Sequence, residues 1–411
     1  MANHNGCGRD PDIIQEGDTV VFDVNNKLKV QFIQVKSGST VRFGRGNCQT
    51  TDLVGHRFGT LFGLGEDGAS LRPVAHEPSE EWDEQLEDAD RDGSNHIHDQ
   101  EAGNQHMSRE EIEGMKASGA EGATIVDALV TNSKNFDKMS GFAQKKYKKK
   151  KVDKYVLIGC ARKPSAAVLA EAYYSRYSNT IGYLRPDTLA LALTMANVGP
   201  YQNVLVLEAS SGLVTGAVAE KLGGFGEVCA AHHGRNSPSI SITTQFNFSD
   251  TIQKTIHTQP LSDLLLEVDG MAHRAKYFTD KKRGEDEDTA VAAPPAKPRF
   301  TSCIITAAHY SLKSSLFAVL PLLAPSATFV VVSQVLQPLV DCMNLLRVKN
   351  YAVGTTIHEA WTRDIQVLPL RTHPFMNMNH GGGYILTGTV TKRGRWVDLN
   401  QYTSSHNEDA V

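Results

Sequence analysis

The sequence lacks the features of a membrane or secreted protein. No apolar run is long enough for a membrane-spanning helix, and no charged-then-apolar signal segment opens the chain. The six cysteines form no C-x-x-C pair and no spacing typical of secreted disulfide proteins. These absences predict a soluble protein with free thiols in a reducing compartment.

The chain also lacks a strong excess of charge of either sign. It has 42 Lys and Arg residues against 46 Asp and Glu residues, a formal net charge of -4, which by itself argues against a nucleic-acid partner. The charges are grouped in blocks of opposite sign, however, so their distribution matters more than their sum. A length of 411 residues is enough for two domains with a substantial core.

Short alternating runs fill the N-terminal region, residues 13–74. Leu28, Val30 and Phe32 alternate with lysine and glutamine, and asparagine and glycine supply the turns. This period of two predicts a small antiparallel barrel or sandwich. Such a module either packs against a larger domain or contacts RNA, and the sequence leaves both uses open.

An acidic stretch follows. Residues 76–101 carry eleven carboxylates against a single arginine and few apolar residues, which predicts disorder. The spacing of Asp88, Asp90 and Asp92 matches the first half of a calcium-binding loop. The twelfth position is Asp99, which is too short for the usual bidentate glutamate contact. We therefore interpret the stretch as a solvated linker without bound metal.

The next region is predicted to be helical and then strongly basic. Ser108 and Glu111 form a capping box, and a second helix carries the apolar positions of residues 125–130. Residues 144–154, QKKYKKKKVDK, hold seven lysines, and as a helix they would present ammonium groups on all sides. Such a run is a solvated surface, a nuclear-import signal or a phosphate-binding surface with a ring available for base stacking. If the run binds nucleic acid, the contacting residues are Lys145, Lys146, Tyr147, Lys148, Lys149, Lys150 and Lys151.

From Tyr155 onward, apolar strands separated by helices predict a doubly wound sheet. The strand candidates are VLVLEA, EVCAA, SCIITAA and TFVVVSQ, and a charged, proline-containing insertion separates the second from the third.

The turn after VLVLEA has the outline of a nucleotide-binding loop without its glycines. Against the pattern E-x-G-x-G-x-G, Glu208 and Gly212 are present, but Ser210 and Val214 stand where the first and third glycines belong. The following strand ends in His232 where a carboxylate normally accepts hydrogen bonds from the ribose. Three lost features in one site predict a fold retained without its cofactor.

Nine segments spread along the chain, from GDTVVFDV near the start through EASSGLVTGA to GGGYILTG near the end, carry a family resemblance. In these segments the chain resembles the non-catalytic subunit of the eukaryotic tRNA (adenine-N1)-methyltransferase. Such a subunit pairs with an S-adenosylmethionine-binding subunit to methylate an adenosine in the T-loop of tRNA. The resemblance implies no catalytic residue, cofactor or metal in this chain, tRNA and the catalytic subunit as partners, a dimer of heterodimers, no membrane contact, and location in the nucleus. The matching segments are GDTVVFDV, VGHRFGTLFGL, FAQKKYKKKK, KPS, RPDTLALALTMANV, EASSGLVTGA, GGFGEV, EAWTRDIQVLPLRTHP and GGGYILTG.

The resemblance also guides the interpretation of two further sites. The catalytic relative has an Asp-containing turn where this chain has Ala308 and His309, and a His-Thr-Gly-Tyr sequence where His380 precedes three glycines. The losses again imply a non-catalytic chain, with His309 as a structural histidine. The resemblance implies that the C-terminal landmarks shape a subunit interface; they are Trp361, Arg363, Arg371, His373, Pro374, Gly381, Gly382, Gly383 and Tyr384.

The predicted fold class is α/β, with an N-terminal small antiparallel β-barrel, a helical connector and a C-terminal Rossmann-like methyltransferase fold with a degenerate cofactor site. Two other functions stay open: an active S-adenosylmethionine-dependent RNA methyltransferase with an atypical loop, and an RNA-binding translation factor with no methylation role. The predicted regions are a disordered tail (1–12), the barrel (13–75), an acidic disordered linker (76–106), the basic helical connector (107–154), the Rossmann-like domain in two parts (155–273 and 300–397), a disordered insertion (274–299) and a tail (398–411).

Overall fold

The computed structural model forms two compact units, Met1–Pro164 and Ser165–Val411. The predicted calcium loop, acidic linker, insertion and C-terminal tail lie outside the described residues. The described residues are 10–25, 29–44, 46–65, 67–74, 106–117, 122–139, 141–233, 240–266, 300–306, 311–367, 372–376, 378 and 381–391.

The first unit contains the expected N-terminal antiparallel β region. Its main sheet has five strands in the order β2-β1-β7-β5-β6, and β3 and β4 pair as a separate hairpin. Phe22, Phe43 and Phe62 fill its core, and the Phe22 and Phe43 ring centroids lie 5.5 Å apart. The strands are β1 (Thr19–Val24), β2 (Lys29–Gln34), β3 (Thr40–Phe43), β4 (Gly46–Gln49), β5 (Leu61–Leu64), β6 (Leu71–Val74) and β7 (Gly159–Arg162).

Two predicted boundaries of this unit need correction. The sequence analysis assigned all residues from Tyr155 to the second domain, but β7 pairs with β1 and β5 in the first sheet. Arg162 also lies 3.4 Å from Asp23 Oδ2 on β1. Asp12, assigned to the disordered tail, pairs with Lys163 Nζ at 2.9 Å. Both errors arose because these contacts join residues that are far apart in the chain, which no local pattern reveals.

The described residues between β6 and β7 form three α-helices: α1 (Arg109–Ala117), α2 (Gly122–Thr131) and α3 (Gly141–Tyr155). The capping box at the start of α1 is confirmed. Ser108 N donates to Glu111 Oε2 at 2.8 Å, and Glu111 N donates to Ser108 Oγ at 3.1 Å. This reciprocal pair satisfies two amide groups that a helix start leaves without partners.

The second unit is the predicted doubly wound domain. Five strands run parallel in the order β10-β9-β8-β11-β12, and antiparallel β16 and β13 complete the sheet. The order reverses between β8 and β11, and ligands of such sheets bind outside the carboxyl ends of the strands at this switch point. The seven strands are β8 (Gln202–Glu208), β9 (Gly226–His232), β10 (Ile256–Pro260), β11 (Phe300–Thr306), β12 (Leu323–Ser333), β13 (Ala352–Trp361) and β16 (Gly381–Val390).

Helices and a small hairpin complete this unit. Pro186 begins α5, at the position where its missing N–H leaves no hydrogen bond unmade. The remaining elements are α4 (Ala166–Tyr177), α5 (Pro186–Met195), α6 (Leu213–Leu222), α7 (Asp250–Gln253), α8 (Leu312–Val319), α9 (Leu336–Val348), β14 (Ile365–Gln366) and β15 (His373–Pro374).

Candidate functional site

The turn between β8 and α6 is organised around the Glu208 carboxylate. Oε2 accepts a hydrogen bond from Val214 N at 3.1 Å, and Oε1 accepts one from Thr215 N at 3.0 Å. The Ser210 and Thr215 hydroxyls also donate to this carboxylate. A negative charge at a helix start satisfies exposed amides and interacts favourably with the helix dipole. Glu208 therefore holds the turn together through groups of the protein itself.

The protein's own backbone covers this turn. Gly212 has φ +95°, and a Cβ atom added to it would lie 2.8 Å from Ile240 Cα. Ile242 N donates to Ser211 O at 3.0 Å, which fixes the covering segment, residues 240–246, against the turn. A cofactor loop needs bare backbone here so that the ligand can approach closely. Here the segment of residues 240–246 lies against the turn, where a cofactor would otherwise approach.

The two replaced glycines and the missing carboxylate reinforce this conclusion. Ser210 and Val214 are buried, so their side chains are part of the packed turn. His232 ends β9 and is only 6% exposed, and its Nδ1 has no hydrogen-bond partner within the described part of the chain. A single imidazole nitrogen cannot replace the two oxygens that accept from ribose hydroxyls. The residues present do not fit S-adenosylmethionine.

The neighbouring His233 is exposed at the end of the same strand. Burial and, to a smaller extent, the adjacent His232 lower the pKa of His233. A lowered pKa makes this imidazole a weaker source of positive charge for a carboxylate or phosphate group.

The C-terminal landmarks divide into packed and exposed residues. Gly382 and Gly383 are buried within the second unit, and a Cβ added to Gly382 would lie 2.9 Å from Ala360 O. Thr188 Oγ1 donates to Gly382 O at 2.8 Å. The interpretation of these two glycines as interface residues is therefore wrong, because they pack inside their own subunit. Trp361 and Arg363 are exposed, whereas Ala308, His309, Arg371 and His380 lie outside the described residues.

Helix α3 carries the lysine run, and it has a buried face that the sequence analysis did not predict. Tyr147 and Val152 are each 8% exposed, and the Tyr147 and Phe136 ring centroids lie 5.8 Å apart. The prediction of Tyr147 as a ring for base stacking is therefore wrong. The error arose because two apolar residues five positions apart give only a weak periodic pattern.

The exposed lysines of α3 lie on one face. Counted from Lys146, the other exposed lysines follow after three, four and eight positions, which is the spacing of residues on one surface of an α-helix. Two less exposed lysines lie over aromatic rings: Lys151 Nζ is 4.8 Å from the Tyr147 ring centroid, and Lys148 Nζ is 5.8 Å from that of Phe136. The exposed Lys154 Nζ also lies 5.3 Å from the Tyr155 ring centroid. We call the exposed set the lysine face; it consists of Lys146, Lys149, Lys150 and Lys154.

Two other classes of site are absent from the described residues. Among them, no group of three or more His, Cys, Asp or Glu side chains could hold a metal ion. No helix in the same set is both long enough and apolar enough to cross a membrane.

Comparisons with known proteins agree with this geometry. The Gcd10p family model matches residues 13–293. A Dictyostelium discoideum protein is 32% identical over 92% of this chain and 80% of its own length, and a Mus musculus protein is 29% identical over 91% and 88%. Each is named as the non-catalytic subunit of tRNA (adenine(58)-N(1))-methyltransferase.

A solved structure supports the fold assignment. A Thermotoga maritima S-adenosylmethionine-dependent O-methyltransferase aligns with a TM-score of 0.51 and 10% identity, covering 95% of this chain and all of that one. At this identity the likeness concerns the fold alone. The family match extends over more than half of the chain, and the chain therefore belongs to the Gcd10p family.

Proposed function

We propose that this chain is the non-catalytic, tRNA-binding subunit of a tRNA (adenine-N1)-methyltransferase. In this role it assembles with a second subunit that binds S-adenosylmethionine and performs methyl transfer. The observation that carries the proposal is the turn between β8 and α6, where Glu208 and residues 240–246 fill the cofactor position. The names of the Dictyostelium and mouse relatives support the same role.

The lysine face supports a tRNA-binding role. Side chains three and four positions apart on a helix have Cβ atoms about 5–6 Å apart, which is close to the spacing of successive phosphates along a nucleic-acid strand. Tyr147 and Val152 are buried and anchor α3, so the exposed lysines project from a packed helix. We therefore infer that the lysine face contacts the RNA backbone without reading its sequence.

Calorimetry with S-adenosylmethionine tests the absence of cofactor binding. The isolated chain is expected to give no binding heat, whereas a complex with the catalytic subunit is expected to bind one cofactor per catalytic subunit. Micromolar, stoichiometric binding by the isolated chain would refute the proposal and favour an active methyltransferase.

Assembly provides a separate test. Size-exclusion chromatography with mass measurement is expected to show a stable hetero-oligomer with the catalytic subunit. Methylation of tRNA is expected from the mixture and from neither chain alone. A soluble monomer that does not bind the catalytic subunit but does bind RNA would instead favour a translation factor.

We further infer that the lysine face contributes to nuclear import. Import receptors recognise clustered basic side chains, and this face presents four in two helical turns. A fluorescent fusion with alanine at the lysine face is expected to shift toward the cytoplasm. Unchanged nuclear accumulation of this variant would exclude this part of the proposal.

A further inference from the structure

A cavity of about 640 Å³ opens at the carboxyl ends of β11 and β12 in the second unit. Ligand sites typically have volumes of about 300–1,000 Å³, and open α/β sheets bind ligands outside this edge. The residues of the turn between β8 and α6 are not among the described residues that line it. The cavity is therefore separate from the closed cofactor position, and the proposed function does not account for it.

Six apolar side chains contribute to the cavity wall. They come from the segment before α5, from β12 and from the first turns of α8 and α9. Apolar walls favour the faces of a flat ring, and unpaired bases bind proteins through such contacts. The wall residues are Ile181, Leu184, Leu312, Val332, Val335 and Pro338.

Thr306 lines the cavity and places a buried hydroxyl beside it. It is the last residue of β11, and its Oγ1 is buried without a hydrogen-bond partner in the part of the chain that the structure describes. Buried hydroxyl groups nearly always have a partner. Its Oγ1 has almost no accessible surface, so the side chain must rotate toward the cavity before a donor or acceptor at a ligand's ring edge or sugar can supply one.

The charge around the cavity suits an anion at its edge. Lys313 lines it from the first turn of α8 and is exposed. The start of α9 also lines it, and Val335, the residue before this helix, caps no amide with its side chain. Asp341 contributes a negative charge, but its Oδ1 already accepts a hydrogen bond from Gln337 Nε2 at 2.9 Å.

An exposed aromatic residue lies beside these groups in the chain. Tyr183 is 56% exposed and stands between the lining residues Gly182 and Leu184. Its carbonyl oxygen accepts a hydrogen bond from Gln334 Nε2, another lining residue, at 3.2 Å. Aromatic side chains at such positions stack on unpaired bases.

We propose that this cavity binds one nucleotide, with the base between the apolar walls, the phosphate on Lys313, and a base-edge or ribose group on Thr306 Oγ1 once this side chain has rotated toward the cavity. The inference rests on the proposed function, because tRNA bound by this subunit would supply an unpaired nucleotide. A free nucleotide has the same chemistry, so the experiment has one arm for each source.

The first arm titrates AMP into the full-length chain in complex with its catalytic subunit. Lys313→Gln is expected to weaken AMP binding about tenfold, because it removes a charged hydrogen bond. Thr306→Val is expected to weaken it about fivefold while leaving the melting temperature unchanged or higher, because the lost hydroxyl has no hydrogen-bond partner among the described residues. Lys349→Gln, an exposed control beyond the far end of α9, is expected to bind AMP like the wild type.

The second arm uses tRNA that carries 4-thiouridine at unpaired positions, cross-linked to the same complex. Cross-links to residues 311–313 or 334–338 that Lys313→Gln and Thr306→Val weaken would identify RNA as the source. AMP binding with the same variant effects but without these cross-links would identify a free nucleotide. Absence of both would overturn the cavity proposal, whereas the proposed function would fail separately if the wild-type complex retained no tRNA.

Discussion

Alanine substitution of the lysine face tests the proposed tRNA contact most directly. Each lysine that neutralises a phosphate releases condensed counterions, so log affinity falls with log salt concentration by about 0.7 to 0.9 per contact. If all four lysines make such contacts, the quadruple variant is expected to lower this slope by about 3 to 4. Between roughly 50 and 200 mM salt, the wild-type complex should then lose about 100-fold more affinity than the variant.

The assay is tRNA binding by the reconstituted complex across a salt series. Alanine favours the helix, and the variant leaves the buried Tyr147 and Val152 in place, so α3 should remain folded. A matched control removes the same charge from four exposed lysines elsewhere and is expected to keep the wild-type slope. The control positions are Lys36, Lys221, Lys254 and Lys349.

Methylation kinetics provide a second measurement on the same variant. The rate is expected to fall at low tRNA concentration and to recover at saturation, because methyl transfer belongs to the partner. The reasoning would be refuted if plots of log affinity against log salt concentration had the same slope and the same affinity for the wild type and the lysine-face variant. The lysines would then be a solvated surface or an import signal.

The remaining predictions concern the packed second unit. Gly212→Ala is expected to lower the free energy of unfolding by about 2 kcal/mol, because the alanine must adopt a left-handed φ and its Cβ would clash with Ile240. An unchanged denaturation midpoint would contradict this. Glu208→Gln, which loses charged hydrogen bonds at the start of α6, should cost about 1–3 kcal/mol in urea denaturation, whereas a neutral result would remove its structural role. Burial and, second, the Asp341 carboxylate raise the pKa of Cys342 to about 11, so iodoacetamide at neutral pH should modify this thiol only after unfolding. Rapid labelling of the native protein would show that the thiol is accessible.

Local sequence patterns predicted much of the fold correctly. The capping box of Ser108 and Glu111 has the expected pair of hydrogen bonds, because its partners are three residues apart. The four apolar runs proposed as strands are β8, β9, β11 and β12, because continuous apolar runs suit a sheet covered on both faces. The resemblance to a non-catalytic methyltransferase subunit is confirmed by the family match.

Long-range packing decided what these patterns could not. The assignment of β7 to the first sheet depends on pairing with β1, far away in the chain. The burial of Tyr147 depends on its contact with Phe136. Phe136 lies before α3, so the two residues are not related by the spacing of a single helix. Neither contact leaves a periodic signal in the sequence.

The sequence by itself determined that the cofactor loop had lost its glycines, because the identities of Ser210 and Val214 exclude bare backbone at those positions. Only the tertiary structure decided how the vacated position is used. Residues 240–246 cover the turn, and Glu208 turns its carboxylate to the amides of α6. The physical reason is that the residue at one position is a local property of the sequence, whereas the group that packs against it can come from any part of the chain.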